Sequence, residues 1–256
     1  MRTLKRGCKG NDVRLLQYVL GIDADGVFGP STDARLKQEQ EVLGLKPDGK
    51  CGPLTQKALG VGDIIYIVCE PEKVRFLGAP YGADNKPLKP LKEWAKEAPE
   101  ARYILNLAFF NSSGKGRDQY GVIKGRTLTY VRGDGRDIGY GGTDVRIYPN
   151  AENSCAGYKV AVANGVKQEV SLVEKRARNA NGILKDGSYI HVQSVMPCTE
   201  SALVSAVMER FDVKTLLIQD GGGSVGFYDA REGVLLAAEK EGTNGRPVAT
   251  VVAVAE

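Results

Sequence analysis

Through the first sixty residues apolar positions recur at helical spacing, and from residue 64 onward they gather into short runs bounded by glycine-rich turns. Val13, Leu16, Val19 and Leu20 share one helix face behind Asn11-Asp12, a pair suited to capping. With the turns that follow, the pattern predicts helices over roughly 13–20, 31–43 and 54–59. Gly60-Val61-Gly62 then reads as a short hinge, and Ile64-Ile65-Tyr66-Ile67-Val68 as a strand of β-branched and aromatic residues. Residues 80–102, rich in Pro, Lys and Glu, read as a surface loop with a short helix around 91–98. Residues 103–111 form an apolar strand interrupted by Asn106, and the alternation of strand-like pieces with glycine turns over 121–147 is meander-like.

Further along, segments 159–163 and 169–173 flank Asn164-Gly165, a hairpin signal, and Asp186-Gly187 makes a tight turn before a strand over 188–195. Leu203, Val204, Val207, Met208 and Phe211 define an amphipathic helix with Thr199 and Ser201 as candidate caps. That helix feeds residues 215–224, TLLIQDGGGS, an apolar run ending in an acid, three glycines and a hydroxyl. The predicted fold class is α+β: a small three-helix all-α domain over 1–60, then a mixed domain over 64–256 with a largely antiparallel sheet.

Composition narrows the function classes. A hydrophobic content of 42% with 26% charged residues is that of a globular chain, and disorder is excluded. The net charge of +4 is spread along the chain instead of massed in basic runs, so no nucleic-acid partner is expected. No apolar run is long enough to span a bilayer, so no membrane partner is expected either. The basic N-terminus is interrupted by Arg14 and Gln17 and lacks a signal-peptide core, which implies synthesis in the cytoplasm. The five cysteines are scattered without a CxxC pair, and neither a disulfide framework nor a zinc site is indicated, although a Cys8–Cys51 bridge is compatible with the sequence. His191, the single histidine, lies mid-strand and reads as a partly buried, hydrogen-bonded residue ahead of a catalytic base.

Two features carry chemistry. Asp25-Gly26-Val27-Phe28-Gly29-Pro30-Ser31-Thr32 recurs 23 residues later as Asp48-Gly49-Lys50-Cys51-Gly52-Pro53-Leu54-Thr55. In each copy DG supplies a turn and GPxT opens a helix. In TLLIQDGGGS, Asp220 falls at a strand end, where sites in mixed α/β domains are commonly built, and the glycines allow close backbone approach to a ligand. Because Val225-Gly226-Phe227-Tyr228 continues as a strand and not a helix, a phosphate loop or dinucleotide fingerprint is disfavoured. A buried Asn must be hydrogen-bonded, which leaves Asn106 as either a structural staple or a site residue.

On both DGxxGPxT copies, the preceding Gly10-x-x-Val13-x-x-Leu16-Gln17-x-x-Leu20 and the Gly44-Leu45-x-x-Asp48-Gly49 segment, residues 4–60 resemble a peptidoglycan-binding domain of three-helix type. Glu39-Gln40 departs from that family, which usually has Phe before this Gln. The resemblance implies a wall glycan as partner of residues 1–60.

Residues from about 103 to 254 resemble the phosphodiester glycosidase family, to which the uncovering enzyme that removes N-acetylglucosamine from a phosphodiester belongs. The carriers, in order, are Asn106-Leu-Ala-Phe-Phe110, Gly121-Val-Ile-Lys-Gly125, Arg178-Asn-Ala180-Asn-Gly182-Ile183 with Asp186-Gly187, the helix after Thr199, Asp220-Gly221-Gly222-Gly223-Ser224, and Gly245-Arg246-Pro247-Val248. Asn179, Asn181 and Gln219 depart from its pattern.

The resemblance implies cleavage of a glycosyl-1-phosphodiester, a phosphosugar linkage, through an oxocarbenium-like transition state. Arg178 would grip phosphate, backbone N–H groups of Gly221, Gly222 and Gly223 would add donors, and Ser224 would donate to a phosphate oxygen. Asn106 would fix a sugar hydroxyl, and Arg246 is a second anion contact or a salt-bridge partner. Asp220 would serve as base, nucleophile or ligand to a divalent cation, a cofactor the sequence does not require. The expectation is a cell-wall-directed hydrolase acting at the wall, of phage-lysis type. A non-catalytic phosphosugar- or nucleotide-binding protein and a structural wall or spore component are the alternatives.

Overall fold

The computed structural model describes residues 1–78, 88–107, 122–124, 153–155, 159–169, 174–237 and 245–256. The helices are α1 (Asn11–Val19), α2 (Pro30–Val42), α3 (Pro53–Leu59), α4 (Leu91–Trp94) and α5 (Glu200–Arg210). The strands of the first half are β1 (Ile64–Cys69), β2 (Val74–Gly78), β3 (Ala101–Asn106), β4 (Val122–Lys124), β5 (Asn153–Cys155) and β6 (Lys159–Ala163). Then come β7 (Val166–Lys167), β8 (Asn179–Leu184), β9 (Tyr189–Ser194), β10 (Val213–Ile218), β11 (Gly226–Asp229), β12 (Val234–Ala237) and β13 (Thr250–Ala255). The fold class is α+β, as expected. Phe109, Phe110, Gly121, Gly125 and most of the predicted meander lie outside the described residues.

The helical segment is built on a repeated glutamine clamp. Gln17, on α1, donates to the Asp25 carboxylate at 2.8 Å, to the Val27 carbonyl and to the Thr32 hydroxyl, while its carbonyl accepts the Gly26 amide. Gln40, on α2, repeats this with Asp48 (3.1 Å), Lys50, Thr55 and Gly49. Each DGxxGPxT turn is thus closed around a buried side chain from the preceding helix, which explains why the motif recurs as a unit. Gly26 and Gly49 have φ of 79° and 69°, a conformation that favours glycine. Pro30 and Pro53 open α2 and α3, where the missing N–H costs nothing. Gln40 therefore keeps its structural role in spite of the acid beside it. Cys8 and Cys51 are both free thiols, so the bridge compatible with the sequence is not formed.

The remaining strands form two antiparallel sheets, ordered β1-β9-β8-β10-β6-β7 and β12-β11-β3-β13-β2, with β4 and β5 as a separate pair. Their side chains alternate between faces, as strand geometry requires. On β13, Val252 and Val254 face the layer between the sheets, while Val251 and Ala253 face outward. Leu203, Val204 and Val207 of α5 cover the outer face of the larger sheet, and Leu91 and Trp94 cover that of the smaller. The Trp94 indole donates to the Val248 carbonyl at 3.0 Å. Thr199 caps α5 by accepting the Ala202 amide at 3.1 Å, as predicted. Asn164 (φ 50°) and Gly165 (φ 81°) form the expected turn, which β7 follows; residues 170–173 of the predicted second strand lie outside the described residues.

The core between the sheets runs on into the helical segment. Val13, Leu16 and Phe28 belong to the same apolar cluster as Leu105, Leu217 and Phe227. Val61, placed by the sequence in a hinge, is 7% exposed and belongs to that cluster too. Polar bonds reinforce the contact: the Tyr18 hydroxyl donates to Asp229 at 2.6 Å, and the Asn11 amide to the Ala237 carbonyl at 2.6 Å. Asp229 is fully buried, and it also accepts from Arg102 and from the amides of Arg231 and Glu232. Burial works against its ionisation, but the bonds from Tyr18, Glu232 and Arg102 hold its carboxyl below the usual range.

Candidate functional site

Strand β10 is a central member of the larger sheet and ends at Ile218, which delivers Gln219 and Asp220 to the start of the glycine loop. Gly222–Ser224 then makes a single 3-10 turn before the chain enters β11, so the loop leads into a strand as the sequence predicted. Gly222 has φ 63°, and a Cβ there would meet open space. At Gly221 a Cβ would lie 2.8 Å from the Ala177 carbonyl, so only glycine fits.

Asp220 is buried, with 8% of its surface exposed. Burial pushes its carboxyl up to about 6; the Ser224 hydrogen bond, the Arg246 charge and the Gly221 amide pull the other way without cancelling that effect. A carboxyl in this state can hold or release a proton near neutral pH, the property a general acid or base requires. Ser224, 5% exposed, is thus a direct partner of Asp220, and Arg246 is its nearby cation.

Asn106 ends β3, and both of its side-chain polar atoms are engaged with main chain. Its amide donates to the Asp220 carbonyl at 2.9 Å, and its carbonyl accepts the Gly226 amide at 3.1 Å. The Asp220 amide in turn donates to the Leu107 carbonyl at 3.0 Å. Asn106 therefore ties the end of β3 to both ends of the glycine loop, which makes it a positioning residue.

Arg178 lies beside the loop but is itself enclosed, at 6% exposure. Each of its three nitrogens has a protein partner: Nε donates to the Cys198 carbonyl at 3.3 Å, Nη1 to the Glu200 carboxylate at 3.2 Å and Nη2 to the Glu174 carbonyl at 2.7 Å. Glu200, in the first turn of α5, is 1% exposed; burial raises its pKa, with Arg178 and Lys159 opposing. The guanidinium holds this acid and the 174–178 segment in place. The Ala177 carbonyl accepts the Gly222 amide at 2.8 Å, so that loop donor is already used. Asn106, Arg178, Asp220, the glycine loop, Ser224 and Arg246 are thus brought together, with Asp220 and Arg246 supplying charge and Asn106 and Arg178 supplying the frame.

Behind the loop lies a polar layer that reading the sequence missed. Asn179 and Asn181 on β8 pair in register with Gln193 and His191 on β9, and Gln219 adjoins them. All five are buried. The Gln219 amide donates to the Asn181 side chain at 2.7 Å, and the Asn179 amide to the Asn106 carbonyl at 2.6 Å. His191 is fully buried with neither ring nitrogen hydrogen-bonded, in contrast to the partly buried, bonded residue expected, and burial lowers its pKa to about 3. The available signal was the polar residue at every second position of otherwise apolar strands, Asn179 and Asn181, then His191 and Gln193. Among the described residues no group of three or more His, Cys, Asp or Glu side chains could hold a metal ion, and no helix is long and apolar enough to cross a membrane.

No curated protein matches the sequence. Among solved structures, the zebrafish N-acetylglucosamine-1-phosphodiester alpha-N-acetylglucosaminidase catalytic domain, auto-inhibited by its pro-peptide, is similar with 14% identity and a TM-score of 0.49, over 76% of this chain and 84% of that one. A hypothetical protein from Synechocystis is similar with 11% identity and a TM-score of 0.48, over 75% of this chain and 58% of that one. The model of the family described as "Putative peptidoglycan binding domain" matches residues 9–59, the segment closed by the two glutamine clamps. Residues 9–59 are thus identified as a peptidoglycan-binding domain.

Proposed function

We propose that the chain is a cell-wall-directed hydrolase that cleaves a glycosyl-1-phosphodiester, with the peptidoglycan-binding domain holding it on the wall. The observation that carries the reading is the buried Asp220 carboxyl, held near 6 at a strand end beside Ser224 and Arg246. The order of the Asn106, Arg178, Asp220–Ser224 and Arg246 motifs supports the same chemistry.

In this reading the ionised Asp220 takes a proton from water as the water oxygen bonds to the anomeric carbon. The glycosidic C–O bond breaks, its electron pair leaves with the phosphate, and Asp220 then passes its proton to solvent. A phosphate monoester is a good leaving group, so no strong general acid is needed on that side. Arg246, whose charge acts on Asp220, is a cation available for the departing charge, and Asn106 fixes the main chain on which Asp220 sits. The test is incubation of the purified protein with a sugar-1-phosphodiester, with release of the free sugar and phosphate monoester followed. Turnover by the native chain and its loss in Asp220→Asn is the expected result; equal turnover in the variant contradicts the assignment.

The engagement of all three Arg178 nitrogens removes this guanidinium as the phosphate grip, and the second reading is that the larger part of the chain binds a phosphosugar without cleaving it. Saturable binding with no product on long incubation would distinguish it.

A further inference from the structure

A groove of about 500 Å³ runs between the peptidoglycan-binding domain and the glycine loop. Arg2, Lys9 and Asn11 line it on one side, and Arg176, Pro197 and Gly222 on the other. We propose that this groove binds a phosphate-bearing wall glycan, so that the helical domain forms one wall of the substrate cleft. The choice of substrate class rests on the reading of the chain as a phosphodiester glycosidase.

Charge, shape and rigidity support the assignment. The groove carries three cations and one acid, Asp12, which is buried and already paired with Arg2 at 2.7 Å. Arg176 pairs with Glu174 at 2.9 Å, but both side chains are more than half exposed, so a phosphate can replace that weak pair. Met196 and Pro197 add an apolar wall suited to a sugar face, and the volume falls within the roughly 300–1,000 Å³ of small-ligand sites. The Asn11–Ala237 and Tyr18–Asp229 bonds fix the two sides, so the groove exists before any ligand enters. Gly222 joins the groove to the loop that carries Asp220.

The test is equilibrium binding by calorimetry on an Asp220→Asn background, where cleavage does not interfere. The probes are a soluble teichoic acid of repeating sugar-1-phosphate units and peptidoglycan fragments stripped of phosphate. Lys9→Glu with Arg176→Glu is expected to weaken teichoic acid binding tenfold or more, and Lys9→Gln with Arg176→Gln to weaken it less. Binding of the parent should weaken with added salt. Equal teichoic acid affinity in the parent and the charge-reversed variant overturns the proposal. So does binding of the phosphate-free fragments as tight as that of teichoic acid. If the groove variants behave as expected while the native chain cleaves no sugar-1-phosphodiester, the groove stands and the hydrolase reading fails.

Discussion

The Asn106 side-chain amide donates to the main-chain carbonyl of Asp220 at 2.9 Å, across 114 residues of sequence. Through this bond the end of β3 sets the height of the acid above the sheet. Because the same side chain also accepts from Gly226, one residue fixes the loop where it leaves β10 and where it enters β11. Asn106→Ala leaves a buried carbonyl and a buried N–H without their partner, each costing about 1–3 kcal/mol. Denaturant unfolding is expected to show a loss of about 2–6 kcal/mol. Turnover should fall even in the fraction that remains folded, since the Asp220 main chain is released.

Asp220 makes stability depend on pH in a defined direction. Its folded pKa of about 6 lies above the ordinary 3.8, so the folded state binds the proton more tightly than the unfolded one. The resulting stabilisation is complete below about 3.8 and is lost as pH rises through about 6. At pH 7 the charged, buried carboxylate is a liability of about 3 kcal/mol at most. Asp220→Asn is expected to raise the thermal midpoint at pH 7 and to flatten its change between pH 4 and 6, while abolishing turnover.

His191 acts in the opposite sense. Its folded pKa of about 3 lies below the ordinary 6.5, so stability present above 6.5 is lost as pH falls toward 3. Replacing the ring by an apolar group of similar size removes two unbonded polar atoms and the group that must charge in acid. His191→Leu should therefore leave the protein less sensitive to acid between pH 6 and 4, as read from midpoints across that range.

The bond between Tyr18 and Asp229 joins the peptidoglycan-binding domain to the smaller sheet. Tyr18→Phe removes one donor from a fully buried acid that keeps Arg102 and two amides as partners. A loss of about 1–2 kcal/mol is expected. Because the apolar core is continuous across the same boundary, calorimetry should show a single unfolding transition in the parent. Two separate transitions would contradict the shared core.

Much of this molecule was legible in its sequence wherever local chemistry decides structure. The DGxxGPxT turns, the Thr199 cap, the Asn164-Gly165 turn and the strand leading to Asp220 all follow from short-range rules and appear as read. What the sequence did not disclose depends on distant partners. Val61 sits between two glycines and looks like a hinge, but it is buried because residues far along the chain cover it. Arg178 has the pattern of an anion grip, but the fold places Glu200 and two carbonyls against its nitrogens. The polar row of Asn179, Asn181, His191, Gln193 and Gln219 became a layer only once antiparallel pairing set those positions side by side.

The most direct test of the account is the pH dependence of sugar-1-phosphodiester cleavage. With Asp220 as the base, kcat/KM should rise tenfold per pH unit below a limb near pH 6 and level off above it, and Asp220→Asn should remove both the limb and the turnover. A rate that is flat from pH 4 to 8, or an Asp220→Asn variant that keeps the native profile, would contradict it.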